Sequence, residues 1–391
     1  MLEFLAAQAV NFSLLMIDYR QEFFSFAPTV YLNCAYVGPL PRAAAERIGQ
    51  AIELKANPAR MESRHFFDVT ENVRKRLAAL VGADPSEIAL TNSATQGIAT
   101  VATGLGLKAG DEVVIASNNF PSNLLTWLHL RRLGVRVTVL KPVEGNLRIE
   151  DVAVALTPRT KVLALDWVSY TSGVRIDLAA LGELAHRQGS IFVVDGTQGV
   201  GALELNVHAL PVDGLAVAAY KWLLGPYGTG FVYLTPEVRD RLDLQSINWL
   251  TIEGSEDFDS LPIEQFILPK AAKVFDVPET ASFLNIYALD ASLEFVQRAG
   301  VRTVTEHCTR LLDRLAEGVL RRGLRLFAAA TPERRSTILC FQADSFEATK
   351  EMFDQLKARH VAVSLRHGMI RVSPYLYNGE ADIDRLLEII S

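Results

Sequence analysis

Two short stretches decide how this chain reads: Val194-Asp-Gly-Thr-Gln198, and Ala219-Tyr-Lys-Trp222 running into Gly225-Pro-Tyr-Gly-Thr-Gly230. The first closes an apolar run, Ile191–Asp195, with a carboxylate. Burying that acid unpaired would cost several kcal/mol, so Asp195 calls for a cationic partner. The second places Lys221 where a β-branched run, Gly214–Ala219, gives way to a Gly/Pro loop that lets backbone approach closely. An acid at one strand end and an amine at a later strand end are the raw material of a site.

Working outward, short apolar runs at Glu87–Thr91, Glu112–Ala116, Arg136–Leu140, Lys161–Asp166 and Gly230–Leu234 alternate with helical spacing. The helical stretches are Arg42–Lys55, Glu71–Val81, Gln96–Gly104, Pro121–Leu133 and Leu178–Gln188. This alternation predicts an α/β doubly wound, mostly parallel sheet buried on both faces, with ligands outside the carboxyl ends of its strands. Beyond residue 285 the pattern changes. One long helix (Ile286–Arg298 continuing through Val304–Arg322) precedes strands at Arg325–Ala328 and Thr337–Gln342. A helix at Ala348–Arg359, a strand pair at Val361–Leu365 and Met369–Ser373, and a helix at Ala381–Ile390 complete a smaller α+β region. The expected division is 1–44 as a segment packing on the small domain and the site entrance, 45–284 as the large domain and 285–391 as the small one.

With 49% hydrophobic and 21% charged residues, the 391-residue chain is a folded globular protein rather than a disordered one. Its net charge of −6, spread without long runs, offers no footprint for nucleic acid. Cys34, Cys308 and Cys340 lie far apart and lack metal-ligand spacing, which fits a reducing cytoplasm and no metal site. Met1–Met16 is apolar but interrupted by Glu3, Gln8 and Asn11. It suits neither a signal peptide nor a membrane span and reads as an amphipathic helix on the body; Met16 leaves a second start open.

Four further segments join the acid and the lysine. Thr91-Asn-Ser-Ala-Thr-Gln-Gly-Ile98 follows a strand and opens a helix, so the Ala94 and Thr95 amides with the Thr95 hydroxyl would face an anion. Phe120, before Pro121 at another strand end, can lie flat on an aromatic ring. Tyr170, in Leu165-Asp-Trp-Val-Ser-Tyr-Thr-Ser-Gly173, brings a hydroxyl to a third strand end. Arg371, in Arg366-His-Gly-Met-Ile-Arg-Val-Ser373, can fork onto a carboxylate. Together they describe a pyridoxal phosphate (PLP) site. Lys221 would form the Schiff base, Asp195 would keep the pyridine nitrogen protonated, Gln198 would reach the 3′ oxygen and Tyr220 the phosphate. Neither GxxxxGK[ST] nor GxGxxG after the first strand is present, which argues against a nucleotide enzyme.

These segments resemble the fold-type I PLP enzymes, and more narrowly the class V aminotransferase group of cysteine desulfurases, selenocysteine lyases, kynureninases and isopenicillin N epimerase-like proteins. The resemblance spans nearly the whole chain, from Tyr31-Leu-Asn-Cys-Ala-Tyr-Val-Gly-Pro-Leu-Pro41 to Asn378. By position it implies Lys221 as the Schiff-base lysine, Asp195 on the pyridine nitrogen, Gln198 on the 3′ oxygen and Ala94 with Thr95 at the phosphate. It implies Arg371 on the substrate carboxylate, with Asn33 and Tyr36 beside the substrate. It also implies a homodimer with shared sites, in which Thr280 of Phe275–Phe283 reaches the neighbour's phosphate.

Where desulfurases usually carry His, Asn and His, this chain has Phe120, Tyr170 and Tyr220, and no cysteine stands between Val361 and Arg371. The substitutions resemble the kynureninase-like and epimerase-like members. Transamination, β-elimination and epimerisation all remain open, since Tyr36, His367 and Trp249 have no diagnostic spacing. A non-catalytic regulator on the same fold is the reading from another class, against which the intact Lys221 and Asp195 speak.

Overall fold

The computed structural model describes residues 18–143, 145–261, 263–327 and 331–390, and of residues 280 and 281 only the backbone. The helix expected within Met1–Met16 and the strand end at Ala328 lie outside the described residues. Thirteen strands are described: β1 Val30–Tyr31, β2 Ile88–Thr91, β3 Glu112–Ala116, β4 Arg136–Leu140, β5 Thr160–Asp166, β6 Ile191–Asp195, β7 Gly214–Ala218, β8 Gly230–Leu234, β9 Arg325–Phe327, β10 Leu339–Gln342, β11 Val361–Ala362, β12 Ser364–Arg366 and β13 Met369–Val372. The helices are α1 Arg42–Ala56, α2 Arg64–Val81, α3 Ala94–Gly104, α4 Pro121–His129, α5 Ile149–Ala155, α6 Leu178–Arg187, α7 Pro236–Arg239, α8 Phe283–Ala299, α9 Val301–Arg321, α10 Phe346–Ala358 and α11 Glu380–Ile389.

Seven strands form the main sheet in the order β2-β8-β7-β6-β5-β3-β4. Only β8 runs against its neighbours. The carboxyl ends of β2, β3, β5, β6 and β7 therefore meet at one edge. Strand β6 shows why both faces must be covered: Phe192 and Val194 enter one hydrophobic cluster, Ile191 and Val193 another. A second, four-stranded sheet, β12-β13-β10-β9, packs on α9 and α11 through a third cluster that includes Leu32, Phe341 and Ile370. No described helix is long and apolar enough to cross a membrane.

The structure departs from the sequence reading in two places. The long helix is two helices, because Gly300 between α8 and α9 takes φ +80, a backbone that L side chains rarely adopt. Periodicity alone runs straight across that break. The strand expected over Val361–Leu365 is also divided: β11 pairs in parallel with β1, while β12 pairs antiparallel with β13. The first pairing ties the N-terminal segment to the C-terminal region. At its other end that segment docks on the lysine loop, where the Gly38 amide donates to the Tyr220 carbonyl at 2.9 Å. A Cβ at Gly38 would lie 1.9 Å from the Lys221 carbonyl oxygen, so only glycine fits.

Candidate active site

At the carboxyl edge a cleft is lined by Ser93, Ala94, Thr95, Phe120, Tyr170, Asp195, Gln198, Tyr220 and Lys221, joined by Ser122, Asp166 and Thr197. Eight of the residues singled out in the sequence thus share one wall, drawn from five strand ends. The β2–α3 junction delivers the first group. Ser93 caps α3 by accepting from the Gln96 amide at 3.1 Å, which leaves the Ala94 and Thr95 amides at the open helix end. The Thr95 hydroxyl donates to Ser122 Oγ at 2.7 Å, linking the starts of α3 and α4.

Asp195 is buried at the end of β6, and one of its oxygens accepts from the Thr197 amide at 2.9 Å. Directly across in register on β5 stands a second buried acid, Asp166, which the sequence reading passed over as an ordinary strand end. It accepts from the Phe120 amide at 2.6 Å and from Asn123 Nδ2 at 3.0 Å. Burial, and then Asp195, pushes Asp166 well above the usual carboxylate range. Burial raises Asp195 too, against the Thr197 hydrogen bond and the Lys221 charge. Asp166 is held by donors on both of its oxygens, whereas Asp195, facing the cleft beside Lys221, is the acid placed to answer a cation. By holding the Phe120 amide, Asp166 also fixes the backbone that carries the Phe120 ring.

Lys221 follows β7 and is 5% exposed. Its Nζ lies 5.1 Å from the Phe120 ring centroid and 5.7 Å from that of Tyr220. Burial pulls its pKa from 10.5 down to about 8; Asp195 opposes that fall and the Arg371 charge adds to it. Tyr220 stacks on Tyr227 with ring centroids 4.2 Å apart. Gln198 is held at both ends of its amide, donating to the Ala35 carbonyl at 2.9 Å and accepting from Trp222 Nε1 at 3.0 Å. One N–H of that amide remains to face the cleft.

Arg371, Asn33 and Tyr36 stand beside the cleft rather than on its wall. The buried Arg371 guanidinium donates to the Tyr170 carbonyl at 2.7 Å and, at 3.5 Å, to Ser364 Oγ, while its Nε has no partner among the described residues. Ser364 in turn donates to Asn33 Oδ1 at 2.9 Å, so Asn33 reaches the arginine through a hydroxyl. Tyr36 is exposed beneath the Arg366 guanidinium, 5.8 Å from its centroid. Tyr170 reaches His367 at 3.3 Å, whereas Trp249 packs edge-on to Phe67 and Phe258. Thr280 lies in a short turn, Pro278–Ala281, with its side chain outside the described residues.

All three cysteines are buried, and burial pushes each thiol up. Between β12 and β13 the chain turns in only two residues, His367 and Gly368, both at positive φ. A helix end with amides open to an anion, aromatic rings at Phe120, Tyr170 and Tyr220, a buried carboxylate and a buried amine on one cleft make the residues present a fit for pyridoxal phosphate.

The chain belongs to the class-V aminotransferase family, whose model matches residues 30–386. It is a PLP-dependent enzyme of fold type I. Among curated proteins it is 27% identical to a probable cysteine desulfurase of Methanothermobacter thermautotrophicus, over 95% of this chain and 96% of that one. It is 28% identical to the isopenicillin N epimerase of Streptomyces clavuligerus, over 93% and 94%. Among solved structures, the cystine C–S lyase C-DES in complex with its reaction product cysteine persulfide superposes with a TM-score of 0.84 at 22% identity, covering 93% of this chain and 97% of that one. A cysteine desulfurase from Thermococcus onnurineus superposes at 0.80 and 23%, covering 92% and 93%. Likeness at that level speaks for the fold.

Proposed function

We propose that the enzyme removes the Cα proton of an amino acid, with Lys221 as the base, and that transamination or β-elimination follows from that step. The observation that carries this reading is the buried Lys221 amine, whose pKa of about 8 leaves a useful neutral fraction near neutral pH. Bound pyridoxal phosphate supplies an electron sink for the charge left at Cα. The Ala94 and Thr95 amides with the Thr95 hydroxyl would receive its phosphate, to which Tyr220 would also donate, and Asp195 would keep its ring nitrogen positive. Phe120 would stack on its ring, and Gln198 and Tyr170 would hydrogen-bond its phenolic oxygen. Arg371 draws in the substrate carboxylate and so sets which Cα–H bond points at Lys221.

Desulfuration through a protein cysteine is not part of this reading. Burial pushes all three thiols up, away from the reactive thiolate, and the two-residue hairpin before Arg371 carries no cysteine. The runners-up are epimerisation, which requires a second proton donor on the opposite face, and a kynureninase-like reaction. The same reading has the large domain (45–284) hold the cofactor while the small domain (285–391) brings Arg371. It also makes the protein a cytoplasmic homodimer, with Thr280 serving the neighbouring phosphate.

The test is hydrogen exchange at Cα. The holoenzyme in D2O should wash out the Cα proton of its amino acid, seen by NMR, and Lys221→Ala should abolish the exchange. Products sort the routes: a keto acid with aminated cofactor for transamination, a keto acid with ammonia for elimination, inverted amino acid for epimerisation. Exchange that survives Lys221→Ala, or a persulfide on a protein cysteine after turnover of cysteine, would defeat the reading.

A further inference from the structure

The β12–β13 hairpin presents two arginines on one face. Ser364 lies directly across from Arg371, and Arg366 directly across from Met369. Opposed residues of an antiparallel pair share a face, as do residues two apart on a strand. Arg366 and Arg371 are therefore diagonal neighbours, roughly 7–8 Å apart at the backbone.

That face looks toward the cleft. Arg371 holds the Tyr170 carbonyl, and the charges of both arginines lower the Lys221 pKa. Neither arginine joins an ion pair among the described residues. Arg366 donates to the carbonyl of its own neighbour Leu365 and rests on the Tyr36 ring, and Arg371 has an unused Nε. The nearby acids are already engaged: Asp166 takes the Phe120 amide and Asn123, and Asp195 takes Thr197 and faces Lys221. Two guanidiniums at this spacing repel each other, and a ligand with two negative ends relieves both at once.

We propose that the substrate is a dicarboxylic amino acid, its α-carboxylate taken by Arg371 and its side-chain carboxylate by Arg366. This rests on the reading of the cleft given above. Diagonal strand positions lie within mutual reach of long side chains, so both guanidiniums can serve the two ends of a short dicarboxylate. Arg366 rests over the exposed Tyr36 ring, 5.8 Å from its centroid, and is the residue that would select the acidic side chain.

Calorimetric titration of the holoenzyme with succinate against butyrate, and glutarate against valerate, tests this without turnover. The dicarboxylates should bind at least tenfold more tightly than the monocarboxylates of equal length. Arg366→Gln should remove that preference while leaving butyrate and valerate where they were, Arg366→Lys should restore part of it, and Arg371→Gln should weaken all four. Equal affinities in the unaltered holoenzyme, no binding of any of the four, or a preference that persists in Arg366→Gln would overturn the proposal. If the monocarboxylates bind through Arg371 and Cα exchange proceeds, the failure belongs to this inference alone. Loss of Cα exchange would instead condemn the reading beneath it.

Discussion

Two arginines buried to almost the same degree should respond in opposite ways to replacement by methionine. Arg74 is 3% exposed and Arg371 2%. Arg74 forks onto Asp276 at 2.7 and 3.1 Å, and that carboxylate also accepts from the Leu90 amide, so the pair pins α2 to β2. Arg371 has no acid among the described residues. Burial lowers its pKa from 12.5 to about 10, which at about 1.4 kcal/mol per pKa unit is of order 3 kcal/mol against the folded state. Because the folded pKa lies below the unfolded one, the penalty is in force at every pH below about 10 and fades only toward 12.5.

Arg371→Met removes that penalty and gives back ~1–3 kcal/mol for the Tyr170 carbonyl left without its donor. The apoprotein should come out unchanged or up to ~2 kcal/mol more stable, taking the penalty and the lost donor together. Arg74→Met strands Asp276 and should cost ~3–5 kcal/mol. Urea unfolding of the three apoproteins measures both. In the same variants, KM for a carboxylate substrate should rise steeply only for Arg371→Met, since a desolvated charged contact contributes ~2–5 kcal/mol. An Arg371→Met apoprotein as weakened as Arg74→Met, with unaltered KM, would show that Arg371 is a structural residue and that substrate is held elsewhere.

Asp166→Ala should lower stability by ~1–3 kcal/mol, by leaving the half-buried Phe120 amide without its acceptor, and should weaken cofactor uptake; Asp166→Asn, which keeps an acceptor, should lose less. Urea melts with PLP titration decide, and an alanine variant as stable as the parent would remove Asp166 from the site's support. Arylation of Lys221 in the apoprotein should speed up tenfold per pH unit only to about pH 8 and then level, because only the neutral amine reacts. The same depression should make the apoprotein gain stability as pH rises from about 8 toward 10.5, a gain that Lys221→Met removes. A plateau near pH 10.5 would mean that Lys221 is not desolvated.

The parts of the site that the sequence displays are those written as local contrasts. Asp195 is visible because it interrupts an apolar strand, Lys221 because it meets a Gly/Pro loop, and Ala94–Thr95 because a strand ends just before a helix. The alternation of short apolar runs with helices likewise announces the layered sheet. Asp166 has the same local setting as Asp195, yet its meaning depends on β5 and β6 lying side by side in register. That no acid among the described residues pairs with Arg371 is a property of folded space and leaves no mark in the chain. The break at Gly300 and the division of Val361–Leu365 between two sheets escaped for a related reason: hydrophobic period reports which face is buried, not which neighbour buries it.

The central claim, that Lys221 is the residue through which this enzyme carries pyridoxal phosphate, is tested most directly by borohydride reduction of the holoenzyme followed by peptide mapping. The account predicts a pyridoxyl group on the peptide containing Tyr220-Lys221-Trp222, and on no other lysine, with the yellow absorbance lost on reduction and absent from Lys221→Ala. A pyridoxyl group on a different lysine, or protein that takes up no pyridoxal phosphate, would contradict it.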